Sequence, residues 1–374
     1  MPSHPEPDRA AAPRTICLVR LSALGDVVMV APLIKMLRRE WPAARITWVI
    51  GKAAHPAVAS LARLGVEFVV IDKPRGARDY LALRRRLAGR HFDALLCLQA
   101  SWRANLVYPC IRARRKIGYG RDRAKDCHAW FVRETLPAAA AGTAHILDGF
   151  LQFGEALGGA RAAEDYEGAW GLEPPPEARA WADGALPAGP WLAVAPCASK
   201  AERDWPASGW AAVAAHAWRA HRLPAVLLGG PAARDAATAA EIRALLPPDC
   251  PVTDLTGRTD VPRLLAALER CALLLAPDTG ATHIARAFGR PVVGLYAVAP
   301  SSRTGPYRRT EYCVDKFVEA VALVHGAGSA KARRGARVHD PRAMGLIGTE
   351  EVSAALDAAA AAAAASSAVQ FKSA

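Results

Sequence analysis

Residues 15–40 read TICLVRLSALGDVVMVAPLIKMLRRE. Thr15–Val19 is a short apolar, β-branched run, and it predicts a buried strand. Arg20–Gly25 is a loop, with a glycine that permits close backbone approach. Beyond it, apolar residues recur at helical spacing to about Glu40, which predicts one helix. Strand, glycine-bearing loop and helix together open a βαβ unit. The same rhythm continues outward: strands are expected at Arg45–Ile50, Val66–Ile71 and Ala94–Leu98, and helices at Ala53–Leu64 and Ala77–Ala88. Such alternation predicts a parallel sheet covered by helices on both faces.

At Glu173–Pro176 (EPPP) the rhythm breaks, because prolines continue neither a helix nor a central strand. Residues 171–190 are therefore read as an interdomain linker. The alternation then restarts, with strands at Trp191–Ala195, Ala225–Leu228, Val252–Leu255, Ala272–Ala276 and Pro291–Tyr296. Helices are expected at Ser208–Ala220, Ala232–Leu246, Val261–Glu269 and Thr279–Phe288. The expected class is α/β: two doubly wound domains, residues 14–170 and 191–348, facing a central cleft. Residues 1–13 read as a disordered tail, and residues 349–374 as an Ala-rich helix and tail.

The 374 residues suit two domains, each able to bury a core without disulfides. Lys and Arg number 48 against 35 acidic residues, a net charge of +13. Lys73–Arg133 alone holds sixteen Lys/Arg and four Asp/Glu, so nearly all the excess sits in the first domain. A basic face of this kind suits an anionic partner. Nucleic acid is disfavoured, since Trp102, Tyr108 and Tyr119 accompany the charges without any recognisable binding motif. The eight cysteines include no C-x-x-C pair, so free thiols in a reducing cytoplasm are expected, and no structural zinc. Neither a signal peptide nor a run of eighteen apolar residues is present, so no transmembrane helix is expected. No G-x-G-x-x-G opens the first helix, no P-loop occurs, and no Asp-x-Asp offers a metal-held diphosphate. The expectation is no cofactor and no metal.

Four loops at strand C-termini carry the chemistry. Asp26 starts the first helix, either as a cap or as a general base. In Ala195–Pro206 (APCASKAERDWP), Ser199, Lys200 and Arg203 suit a diphosphate, which an arginine grips with two parallel hydrogen bonds. Gly229 and Gly230 open a turn that lets a ribose or phosphate approach, with Asp235 placed to accept from ribose hydroxyls or simply to occupy a first helical turn. In Ala276–Ala285 (APDTGATHIA), Asp278 and Thr279 precede a helix whose free amides at Thr279 and Gly280 suit a diphosphate, and His283 lies one turn further.

Taken in order, RLSALGDVV (Arg20–Val28), RDWP (Arg203–Pro206), LTGRT (Leu255–Thr259) and DTGATHIA (Asp278–Ala285) resemble the motifs of glycosyltransferase family 9, the lipopolysaccharide heptosyltransferases. RDRAKDCHAWF (Arg121–Phe131) is most similar to the heptosyltransferase I type. The resemblance implies a GT-B fold of two Rossmann-like domains. The first would bind a Kdo-lipid A or inner-core lipopolysaccharide acceptor, and the second ADP-L-glycero-D-manno-heptose. It further implies a metal-independent, inverting transfer with Asp26 as general base. Ser199, Lys200, Arg203, Asp235, Asp278, Thr279, Gly280 and His283 would bind the donor, and Arg121, Arg123 and Lys125 the acceptor. The final helix would pack back on the first domain. A cytoplasmic protein, peripheral to the anionic inner face of the inner membrane, is implied as well. Arg203 stands where the family usually has lysine, and YAVAP (Tyr296–Pro300) replaces its usual Gly-Pro-Thr form. Another nucleotide sugar, a later core acceptor, or a non-catalytic sugar-nucleotide-binding protein remain open at this point.

Overall fold

A computed structural model describes residues 12–138, 145–326 and 337–372, with side chains to residue 365. Most of the tail read in residues 1–13 lies outside the described residues. The first sheet comprises β1 (Thr15–Val19), β2 (Arg45–Gly51), β3 (Val66–Ile71), β4 (Phe92–Cys97), β5 (Ala113–Gly118) and β6 (Glu134–Thr135). The second comprises β7 (Leu192–Val194), β8 (Ala225–Leu227), β9 (Val252–Asp254), β10 (Leu273–Pro277), β11 (Val292–Tyr296) and β12 (Val314–Asp315). Strand orders are β3-β2-β1-β4-β5-β6 and β12-β11-β10-β7-β8-β9. All pairings are parallel. Counted within its own half, each sheet has the doubly wound order 3-2-1-4-5-6. The order reverses at β1/β4 and at β7/β10, and ligand crevices form above the strand C-termini at such reversals. The loops bearing Asp26 and Asp278 leave those reversal strands.

The helices are α1 (Leu24–Val28), α2 (Ala31–Glu40), α3 (Ala77–Arg86), α4 (Trp102–Asn105), α5 (Ile146–Ala156), α6 (Pro176–Ala185), α7 (Ala207–His221), α8 (Ala233–Leu245), α9 (Val261–Arg270), α10 (Gly280–Ala287), α11 (Ser301–Thr304), α12 (Phe317–His325) and α13 (Thr349–Lys372). Several differ from expectation. The single helix running to Glu40 is two, because Pro32 begins a fresh first turn in α2. Ala53–Leu64 is not an α-helix but two 3₁₀ segments, the first carrying Pro56, and Gly65 in the left-handed region (φ +73°) ends the second. The stretch read as linker contains α6. Its prolines start that helix, where a missing N–H costs nothing. Ala178 and Ala182 of α6 pack on Ala266 of α9, and Arg179 grips Glu269 with bonds of 3.0 and 2.6 Å.

The final helix is also corrected. α13 packs on α7 and the second sheet rather than on the first domain: Val352, Leu356, Ala359 and Ala360 are buried in one core with Trp205 and Trp210. Its apolar residues fill that site, and the Trp205 indole N–H donates to the Ile347 carbonyl just ahead of it (3.1 Å).

The halves are joined through a continuous core that includes Leu33 and Trp48 from one and Leu274 and Ile284 from the other. Arg286, 1% exposed, lies at this joint. It donates to the carbonyls of Tyr307 (2.7 Å), Tyr166 (2.6 Å) and Glu167 (3.1 Å) and lies over the Trp170 ring (5.2 Å). The Trp170 amide donates to Ala287 (2.9 Å). Burial pushes the Arg286 guanidinium down to about 10, so it is charged at neutral pH.

Candidate active site

Asp26 lies in the first turn of α1, above the C-terminal end of β1. Its Oδ2 accepts from the Ala23 amide (3.3 Å) and forms an ion pair with Arg20. Arg20 is itself held, donating Nη1 to the Leu98 carbonyl (2.7 Å) and lying over the Phe150 ring (5.4 Å). One oxygen of Asp26 is thus fixed by the protein. Among the described residues the other, Oδ1, accepts no hydrogen bond, and the side chain is a quarter exposed to the cleft. Asp26 is therefore a cap whose second oxygen is open to a ligand.

α1 meets α10 of the other half closely, each helix offering a glycine to a side chain of the other. A Cβ on Gly25 would fall 2.5 Å from His283 Cδ2, and one on Gly280 3.1 Å from Leu24 Cδ2. The two glycines therefore bring Asp26 up to the N-terminus of α10. His283 is 4% exposed, and burial lowers it to about 4, so it is neutral at physiological pH. Its Nδ1 is buried with no partner among the described residues.

The Lys200–Arg203 segment is a short 3₁₀ turn that aims Arg203 inward. Arg203 donates Nη1 to the Asp278 carbonyl (2.9 Å), and its Nη2 lies 3.3 Å from Asp278 Oδ2. Burial raises Asp278, with Arg203 opposing the shift. The guanidinium expected to clamp a diphosphate thus braces the loop ahead of α10. Lys200 and Ser199 are exposed and line the cleft. Thr279 and Gly280 present the first amides of α10 there.

The cleft encloses about 480 Å³ and draws its walls from both halves. Of the donor-side residues singled out by sequence, Ser199, Lys200, Arg203, Asp278, Thr279, Gly280 and His283 line it, together with Asp26. Asp235 does not: its Oδ1 accepts from the Gly230 amide (2.8 Å), so it braces the glycine turn from behind. Nor do Arg121, Arg123 or Lys125. Arg123 is committed to Gln152 (2.7 Å) and to the Pro137 carbonyl (2.6 Å), over the Tyr119 ring. Arg121 and Lys125 are exposed.

Sequence reasoning left Arg20, Asp260, Thr304 and Arg337 unassigned, although Arg20 holds Asp26 and the other three line the cleft. The three carboxylates of the cleft lining are all engaged: Asp26 with Arg20, Asp278 with Arg203, and Asp260 as the cap of α9 (2.9 Å to the Arg263 amide). A second cavity of about 990 Å³ opens beside Leu21–Leu24, with Lys52, Lys73, Arg75 and Arg103 around it against Asp72 and Asp79.

Two Rossmann-like domains of matched strand order face a cleft with Asp26 on one side and the N-terminus of α10 on the other, and this is the arrangement of a GT-B glycosyltransferase. Residues 80–323 match the family described as glycosyltransferase family 9 (heptosyltransferase). The lipopolysaccharide core heptosyltransferase OpsX of Haemophilus influenzae is 31% identical, over 91% of this chain and 95% of that protein. The chain belongs to glycosyltransferase family 9. In fold it is similar to a family 9 glycosyltransferase from Veillonella parvula (TM-score 0.74, 21% identity, covering 93% of this chain and 97% of that one). The ADP-heptose lipopolysaccharide heptosyltransferase II of Escherichia coli gives a TM-score of 0.67 at 19% identity, covering 92% and 98%.

Proposed function

We propose that the protein transfers heptose from ADP-L-glycero-D-manno-heptose to a Kdo-lipid A or inner-core lipopolysaccharide acceptor, inverting the anomeric centre without a metal. The observation that carries this reading is the open Oδ1 of Asp26 facing the N-terminus of α10. Oδ1 removes the proton of an acceptor hydroxyl as its oxygen bonds to the anomeric carbon. The bond from that carbon to the diphosphate oxygen breaks, and ADP leaves with the electron pair. Attack opposite the departing diphosphate inverts the centre. Positive groups must meet the growing charge on the leaving group. Lys200, Ser199 and the amides of Thr279 and Gly280 are placed to do so, and Arg203 holds Asp278 for the sugar hydroxyls. His283, neutral and packed on Gly25, keeps the two helices in contact rather than donating charge.

The names of the relatives support heptose as the sugar and lipopolysaccharide core as the acceptor class. Metal independence is supported by the lone open carboxylate oxygen of Asp26, since Asp278 is paired with Arg203 and Asp260 caps α9. The cavity with Lys52, Lys73, Arg75 and Arg103 adjoins the Asp26 loop, which supports an acceptor bearing phosphates or carboxylates. No described helix is long and apolar enough to cross a membrane. The site of action proposed is the cytoplasmic face of the inner membrane.

The test is a mass-resolved transfer assay with ADP-heptose and heptose-free Kdo-lipid A, in EDTA. A gain of one heptose supports donor, acceptor and metal independence together. Donor binding without gain would move the acceptor to a later core position. Neither binding nor transfer would overturn the reading.

A further inference from the structure

Beyond the cleft, α3, α4 and the loop Arg121–Phe131 form one surface on the first domain. Tyr80 of α3 donates its hydroxyl to the Arg103 carbonyl (3.3 Å). Asp126 accepts from the Trp102 amide (2.9 Å), and its own carbonyl accepts from Asn105 (2.7 Å). The Phe131 ring meets Trp102 edge-on at 6.5 Å. These bonds hold a groove of about 1260 Å³ with Tyr80, Leu81, Trp102 and Leu106 in its lining.

Two properties of this face point to its partner. Of the six large apolar side chains exposed among the described residues, three are here: Leu81 at 50%, Trp102 at 53% and Trp130 at 80%. Cations surround them: Lys73, Arg75, Arg84 and Arg103 line the groove, and Lys125 is exposed on the loop. The one carboxylate in the groove lining, Asp126, is already used to tie the loop to α4. Exposed tryptophans within a field of Arg and Lys match the interface of an anionic bilayer, with indoles at headgroup depth and cations on the phosphates. The groove also shares Lys73, Pro74, Arg75 and Arg103 with the cavity beside the Asp26 loop.

We infer that the α3–α4 face, with Trp102, Trp130 and Leu81 as its apolar anchors, docks the protein on an anionic lipid surface and turns the acceptor cavity toward it. The docking surface stands on its own observations, and only its link to the acceptor rests on the proposed function.

The full chain is sedimented with vesicles of phosphatidylcholine, with or without phosphatidylglycerol. Binding is expected to the anionic vesicles alone, weakening as salt is raised. Replacing Trp102→Ser and Trp130→Ser together should lower the vesicle partition coefficient roughly tenfold. Leu245→Ser, at a half-exposed apolar side chain of α8, should leave it unchanged. Transfer to a deacylated, water-soluble acceptor should be equal in the double variant and the parent, whereas transfer to a vesicle-embedded acceptor should fall with partition. Absence of vesicle binding, indifference to lipid charge, or indifference to the two tryptophans overturns the inference. So does a solution dimer that the same substitutions dissociate, since the face would then join two copies. If the parent transfers nothing to the soluble acceptor, the proposed function fails while the vesicle result still decides this inference.

Discussion

Asp26 commits one carboxylate oxygen to Arg20 and the Ala23 amide and leaves the other open. Asp26→Asn keeps the size and the capping oxygen but removes the proposed base. It should lower kcat by about 10²–10⁴-fold, with donor affinity unchanged by calorimetry. An unaltered kcat would leave Asp26 as a cap alone. Arg20→Met removes the guanidinium that fixes Oδ2. Its expected signature is a fall in kcat of roughly tenfold or more with little change in the KM for donor, as for a positioning residue. Sequence spacing isolated Asp26 but not Arg20, because a partner six residues away across a loop follows no helical or strand period. Arg203 was readable as a cation in the right loop. Its inward turn toward Asp278 was not, since that depends on the 3₁₀ segment ahead of it.

Among elements, the contact between α1 and α10 is the tightest link between the halves, and it depends on two residues without side chains. Gly25→Ala puts a methyl 2.5 Å from the His283 ring, which is buried and cannot swing away. Overpacking of this kind should cost about 1–3 kcal/mol of stability, read as a lower denaturant midpoint. His283→Ala in the same chain should restore part of the loss, because it removes the opposing ring. A Gly25→Ala chain as stable as the parent would mean that the helices separate freely. The elements themselves were largely legible. Strands with continuous apolar runs, such as β1 and β10, matched within a residue or two, since burial on both faces leaves a strong pattern. β5 was invisible because Arg114, Arg115 and Lys116 put charges on both of its faces: Arg115 pairs with Glu134 of β6, and Lys116 reaches the Tyr108 carbonyl. α6 was misread because prolines that end one element also begin the next.

For the whole molecule, stability is tied to the joint and to buried histidines. Arg286→Met would leave the carbonyls of Tyr166, Glu167 and Tyr307 unpaired at the centre of the protein. A loss of about 3 kcal/mol or more is expected, and a thermal scan that resolves two transitions would show that the halves have uncoupled. His128, His145 and His283 are each lowered to about 4 by burial. The unfolded chain binds their protons from about pH 6.5 downward, while the folded chain refuses them until about pH 4. Stability should therefore fall as pH drops through that window, by up to about 1.4 kcal/mol per histidine per unit. A denaturation midpoint flat from pH 7 to 4.5 would contradict it.

The matched strand order of the two sheets gives the molecule the build of a vice with equal jaws. The jaw that carries Lys200 and the N-terminus of α10 and the jaw that carries Asp26 are separate frames, each with its own loops. On the proposed function, new loops after β2 or β3 would change the acceptor while the second sheet's loops stay as they are. Neither jaw alone holds both Asp26 and the N-terminus of α10, so on the proposed function a donor held by one jaw meets its base only across the seam.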